Sequence, residues 1–237
     1  MSTLVVYPDV DWRVQRWPVD ELFATIRGWA WKYFNADETS ISVFLWSWNI
    51  TDYFYNLARC IFTFDTSSLT SGATISATNI AVFWDSKGKN LWETTLDICS
   101  STPANNNALQ NSDYWQLWTT SYGNISYWDF TSGSYNTINL DSSWITNISK
   151  TWISKFWARL WRDISWTFWW TWVWDTNSLF MFYSRDNWTT NSPKLTITYT
   201  TVVWPANLKS INWLASASIK SVNWLAMASI KSFNWVT

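Results

Sequence analysis

Histidine is absent from the 237 residues. A Ser-His-Asp triad, a Cys-His pair and an imidazole metal site are thereby excluded. Cysteine is scarce: Cys60 and Cys99 are the only two, and both sit in apolar, strand-like runs. Their spacing leaves buried thiols and a single disulfide both open. The formal net charge is −1, so no global field draws in nucleic acid. Every apolar run is shorter than the ~18 residues of a transmembrane helix. Met1 to Asp9 has neither a basic stretch nor a long apolar one, which argues against a cleaved signal peptide. No Walker A or dinucleotide fingerprint occurs. These absences predict a protein that is not an enzyme, needs no cofactor or metal, and binds neither nucleic acid nor membrane.

Glycine is the most telling shortage. The chain has 5 Gly and 25 Trp, whereas an ordinary chain is about 7% Gly. Tryptophan stands where glycine chemistry is wanted. Asn187-Trp188, Asn212-Trp213, Asn223-Trp224 and Asn234-Trp235 each occupy the place of Asn-Gly, the strongest two-residue hairpin signal. Trp84 to Gly88 and Trp169 to Asp175 have the pattern of loops once Trp is replaced by Gly. An indole gives none of glycine's tolerance for positive φ. The pattern fits a gene whose UGA codons mean glycine but are translated as tryptophan. A genuinely Trp-rich binding protein is the alternative.

What the chain has in plenty is short strand patterns. Arg59-Cys-Ile-Phe-Thr-Phe-Asp-Thr-Ser-Ser-Leu69 is a β-branched and aromatic run that ends in short polar side chains able to turn the chain. A second strand is expected from Ile75 to Phe83. Others are expected over Leu22–Arg27, Ser40–Leu45, Tyr53–Leu57, Thr94–Ser100, Ile125–Tyr127, Tyr135–Leu140, Ala158–Ile164, Ser178–Ser184 and Lys194–Thr200. Trp46 to Asn49 is expected as a turn and Ile148–Phe156 as a short helix. Residues 1–19 form an irregular lead-in broken by Pro8 and Pro18, 20–203 one β-sandwich, and 204–237 a linker and tail. Many short strands between turn clusters, without intervening long helices, predict an all-β antiparallel sandwich or barrel.

Arg59 to Leu69, then Ala73-Thr-Ile-Ser-Ala-Thr-Asn-Ile-Ala-Val-Phe83, and the closing Ser192-Pro-Lys-Leu-Thr-Ile-Thr-Tyr-Thr200 resemble the DNRLRE-type jelly-roll domains. Those domains are similar to carbohydrate-binding modules and recur in secreted surface proteins and phage structural proteins. The resemblance implies a jelly-roll β-sandwich of two antiparallel sheets, with its first and last strands close together.

The tail is a repeat. Lys209 to Ile219 and Lys220 to Ile230 agree at nine of eleven positions, and Lys231-Ser-Phe-Asn-Trp235 begins a third copy. Strands joined at Asn-Trp would place Ala215, Ala217 and Ile219, then Ala226, Ala228 and Ile230, on one face at period two. A helix would place Ile211, Leu214, Val222, Leu225 and Phe233 on a hendecad seam. Asn-Gly chemistry at each turn favours strands. So short a repeat cannot bury its own apolar surface. Ile211, Leu214, Ile219, Val222, Leu225, Ile230 and Phe233 are therefore the candidate assembly arm. Such repeats resemble those at the ends of phage virion proteins.

Other candidates each have a plain alternative. Asp9 with Asp11, and Asp163 with Asp175, could offer oxygen ligands to Ca²⁺ or be solvated loop carboxylates. Asp20-Glu21 and Asp37-Glu38 could supply a glycosidase pair or be loop carboxylates. Asn49, Asn124, Asn147 and Asn187 sit in glycosylation sequons that also arise by chance in a Ser/Thr/Asn-rich chain. Arg59 and Asp65 are expected as an edge or corner ion pair, or a ligand contact. Tyr122 and Tyr127 are the candidate ligand platform, by stacking on a sugar ring, or else packing aromatics. Two functions follow from different classes. One is a virion component (tail, fibre or capsid surface) that assembles with copies of itself or other virion proteins. The other is a carbohydrate-binding module that meets a polysaccharide outside the cell or on its surface.

Overall fold

The computed structural model describes residues 1–17, 19–28, 33–35, 38–88, 91, 95–106, 110–115, 120–165, 173–187 and 190–201, with 210–211, 214–215, 221–222 and 225–226 in the tail. The strands are β1 (Ser2–Val6), β2 (Pro8–Arg16), β3 (Glu21–Leu22), β4 (Tyr33–Asn35), β5 (Ser40–Ser47), β6 (Tyr53–Asp65) and β7 (Thr74–Lys87). They continue as β8 (Thr95–Ser100), β9 (Ser121–Ser126), β10 (Tyr135–Asn139), β11 (Ile153–Leu160), β12 (Asn177–Tyr183) and β13 (Lys194–Thr200). The tail adds β14 (Ser210–Ile211), β15 (Leu214–Ala215), β16 (Ser221–Val222) and β17 (Leu225–Ala226). Two short helices, α1 (Phe23–Gly28) and α2 (Trp161–Ser165), and a few 3-10 turns complete the described elements.

The fold is all-β. One 13-stranded antiparallel sheet runs in the order β1-β13-β7-β12-β5-β6-β11-β8-β9 and curls into a half-barrel, a sandwich-like arrangement. Two long strands make the curl. The first half of β6 pairs with β3 and β5, its second half with β11, and β2 runs along Leu57 to Phe64. In β7, Thr74 to Ala81 pairs with β13, while Asn79 to Phe83 pairs with β10. Beyond that, Trp84 to Lys87 pairs with β12 across a register shift. One strand thus carries the chain from one half of the sheet to the other, and the bulge bends it there.

The burial follows the sequence pattern. Leu57 to Phe64 is buried at every residue, as an interior strand covered on both faces requires. β12 instead alternates, with Phe180 and Phe182 inward. Phe62 packs against Phe64 and Phe182, and Phe64 against Phe156. The polar corner after β6 behaves as its side chains demand. Asp65 accepts from the Ser67 amide at 2.9 Å. Buried Thr66 places Oγ1 within 2.9 Å of Ser149 O, Trp152 O and Ser154 Oγ.

Several sequence expectations change. Residues 2–16 are not an irregular lead-in but β1 and β2, and β1 pairs with β13. Pro8 opens β2 beside a register shift, a position where a missing N–H does no harm. Leu22–Arg27 is mostly α1 rather than a strand, because Phe23, Ile26 and Arg27, three and four apart, all turn towards the interior. β5 runs through Ser47, so the turn falls at Asn49 to Asp52, where Asp52 has φ 65. Trp84 to Lys87 is strand, not loop; the Lys87 ammonium donates to Tyr127 O and Phe130 O at 2.9 and 3.2 Å. Ile148–Phe156 is no helix: a 3-10 turn over Ser142–Asn147, capped by Asp141, precedes β11. The strand expected to reach Ile164 stops at Leu160, where α2 begins.

Both cysteines are free and buried. Cys60 lies opposite Ala158 and Cys99 opposite Trp157, on the two strands flanking β11. That is roughly 10 Å of sheet, too far for a disulfide. Burial holds the Cys60 thiol well above its ordinary range and pushes Cys99 up to about 12.

Candidate functional site

Among the described residues, three places concentrate interaction chemistry: the tail, an aromatic rim and a buried charge cluster.

In the tail, Ile211 pairs with Leu214 and Ser210 with Ala215; Val222 pairs with Leu225 and Ser221 with Ala226. The two hairpins share one register, 11 residues apart. Each is a two-stranded sheet of its own, and neither joins the large sheet among the described residues. The strand reading of the repeat therefore holds there, and the helical seam does not. Ile211, Leu214, Val222 and Leu225 become cross-strand partners beside the turns. Ile219, Ile230 and Phe233 lie outside the described residues, as do the face residues Ala217 and Ala228 and the turn at Asn234-Trp235. Asn187-Trp188, by contrast, links no paired strands: β12 and β13 both pair with β7, not with each other.

The rim gathers around Tyr55. Trp48 stacks on it at 4.5 Å, and Trp46 and Trp17 meet it edge-on at 5.5 and 6.3 Å. The Trp46 indole N–H donates to Asp175 at 3.0 Å. Trp17 is exposed and the other three rings are half-buried. Neither candidate platform tyrosine belongs to this rim. Tyr122 and Tyr127 are both buried; Tyr127 packs against Phe180 and donates its hydroxyl to Gly88 O at 2.5 Å. They are packing aromatics, because β9 and the turn after it fold back over the core.

The cluster centres on Asp163. Arg59 grips its carboxylate with two bonds of 2.6 Å, Arg159 adds one of 2.8 Å and Arg27 one of 3.2 Å. Arg59 also donates to Tyr114 O at 2.8 Å and to Arg27 O at 3.1 Å, and its guanidinium lies 3.9 Å over the Tyr114 ring. The Tyr114 hydroxyl reaches Ile26 O at 2.7 Å. Burial by itself would raise the Asp163 carboxyl, but the Arg159 and Arg59 guanidinium groups overcome it and hold the group well below the carboxylate range. Burial brings Arg27 down to about 10, with Asp163 opposing. A carboxylate held by three guanidinium groups is neither a base nor a Ca²⁺ ligand. It is a tie between β6, β11, α1 and α2.

The remaining sequence candidates separate. Arg59 does not pair with Asp65, which is exposed at the corner. Asp163 and Asp175 occupy the cluster and the rim respectively. Asp11 is buried and accepts from the Arg185 amide at 2.6 Å, while Asp9 stays exposed beside the Arg185 side chain. Burial, abetted by Asp186, raises the Asp11 carboxyl to about 7 against that amide bond. Glu21 pairs with Arg16 and Glu38 with Arg13; Asp37 lies outside the described residues. Among the described residues no three His, Cys, Asp or Glu side chains gather as a metal site. The chain matches no protein-family model, and no curated protein matches its sequence.

Proposed function

We propose that the protein is a non-enzymatic structural component of an assembly, a virion tail, fibre or capsid-surface protein. A jelly-roll body of the DNRLRE type carries a repeat arm at residues 204–237. The observation that supports this reading is the pair of tail hairpins in one register, each with two strands among the described residues. A lone two-stranded hairpin is marginal in water. Near-identical hairpins at a fixed interval offer similar edges to further strands, and another copy of the chain supplies matching ones. Lys209, Lys220 and Lys231 are the only charged side chains of the arm, so each repeat also presents one cation at the same phase. Deleting residues 206–237 should leave the melting temperature of the body nearly unchanged while the oligomer is lost in light scattering. Unfolding of the truncated chain would make the arm part of the core. Normal assembly without it would end the proposal.

The aromatic rim favours a second reading, a carbohydrate-binding module of an extracellular or cell-surface protein. Indole faces beside a carboxylate are a common way to hold a sugar ring. Retention on a polysaccharide matrix that disappears in Trp48→Ala, with assembly unaffected, would select this reading over the first.

A further inference from the structure

We propose that positions 213 and 224 are glycine in the protein as its own cells make it, from UGA codons those cells read as glycine. The hairpins carry the argument. With Ile211 opposite Leu214 and Val222 opposite Leu225, two residues remain between each pair of strand ends: Asn212-Trp213 and Asn223-Trp224. Two-residue hairpin connections are made by type I′ and II′ turns, whose backbone requires positive φ. A type I′ connection needs it at both central residues, and Asn followed by Gly is its preferred filling. Asn in the first place of both repeats is the residue that type prefers. A bulky side chain in the second place carries a steric cost that glycine does not. The sequence thus specifies a turn twice and twice puts in it a residue that opposes it.

The body bears on the substitution from both sides: Trp46 and Trp84 lie in β5 and β7, and no tryptophan among the described residues has positive φ, yet other tryptophans are poorly placed. Trp17, Trp128, Trp152, Trp161 and Trp174 are exposed, Trp128 to 78%. The buried indole N–H groups of Trp84 and Trp157 have no acceptor among the described residues, whereas a tryptophan selected for the core usually finds one. One reassigned codon accounts for the surplus of Trp and the shortage of Gly together.

The inference is independent of the assembly reading, and its test requires no assembly. Full-length protein from its source organism is cleaved after Lys209, Lys220 and Lys231, and the peptides Ser210–Lys220 and Ser221–Lys231 are weighed. Each is expected to be lighter by the difference between an indolylmethyl group and a hydrogen, with UGA at the matching codons. Tryptophan masses in both peptides, or UGG at both codons, would overturn it. The peptide spanning Trp46 and Trp48 reads out the rim in the same experiment: glycine there extends the reassignment and removes the platform of the sugar-binding reading.

Discussion

The body and the described residues of the arm both form antiparallel strands, yet their sequences point to different physics. In the body, β6 is buried at every residue from Leu57 to Phe64 and is paired along its length by β2, β3, β5 and β11. Burial selects its register, because slipping by one residue would move every side chain to the other face. In the arm, the described strands are two residues long, and the Asn-Trp pair between them is expected from its sequence to set the register through turn chemistry instead. Nearly every residue of the body differs in role, so its sequence has no period. The arm's sequence instead repeats every 11 residues. The body is therefore expected to answer to changes in buried contacts, and the arm to changes at turns and edges.

The largest effect is expected at the charge cluster. Asp163→Ala leaves three buried guanidinium groups facing one another without their carboxylate, which typically costs about 3–5 kcal/mol. Urea denaturation should show the loss, whereas removing the whole arm should hardly move the curve. A variant as stable as the parent would mean the cluster is not the tie described above. The same group sets an acid limit. Its carboxyl is depressed in the folded state, so its stabilisation is complete above the unfolded value, about 3.9, and is lost as pH falls below it.

Asp11 works with the opposite sign. Its folded value of about 7 exceeds the unfolded one, so between about pH 4 and 7 the folded state holds more of the proton. Stability contributed by this residue falls as pH rises through that window, by at most about 1.4 kcal/mol per pH unit. Asp11→Asn keeps an oxygen for the Arg185 amide and should flatten the slope. An unchanged slope in thermal melts across the window would show that Asp11 titrates normally.

Much of the body was legible because its strands carry a plain burial signal. Lys194–Thr200 coincides with β13, Ser40–Leu45 and Ile75–Phe83 fall inside β5 and β7, and Tyr53–Leu57 and the run from Arg59 to Phe64 both fall inside β6. The polar corner at Asp65 was legible for the same reason. Some misreadings occur where a charged or cyclic residue interrupts an apolar run, and those at Trp46–Asn49 and Trp84–Gly88 came from reading tryptophan as glycine, whereas β5 and β7 run through Trp46 and Trp84. Pro8 suggested an irregular segment, although a strand can begin at proline. Arg27 and Asp163 sat in apparent strands, yet each needed a helical turn to reach the cluster. That cluster had a signal in hindsight: Arg59 and Arg159 lie within the apolar runs Leu57–Ile61 and Trp157–Leu160, and a buried cation requires a partner. Which carboxylate answers it is set by the pairing of β6 with β11 and is invisible in sequence spacing. The aromatic rim was missed because Trp17, Trp48 and Tyr55 meet only after folding.

A smaller loss is expected at the corner after β6. Thr66→Val removes a buried hydroxyl within reach of Ser149 O, Trp152 O and Ser154 Oγ. A net cost of about 1–2 kcal/mol is expected, with the midpoint shifted and the slope of the denaturation curve kept. No loss would show that the corner is held by Leu69 packing alone.

The smallest effect on the body, and the sharpest test of the comparison, belongs to the arm. Asn212→Ala together with Asn223→Ala removes the turn preference from both hairpins while leaving every body contact in place. The body should unfold within about 0.5 kcal/mol of the parent, as a change away from buried contacts does. If turns organise the arm, its hairpins should weaken and the concentration needed for self-association should rise several-fold in sedimentation. If the body loses stability instead, arm and body share a core and the division between burial and turn chemistry is wrong. If neither quantity moves, edges rather than turns hold the arm, and the repeated Asn is not the reason for its register.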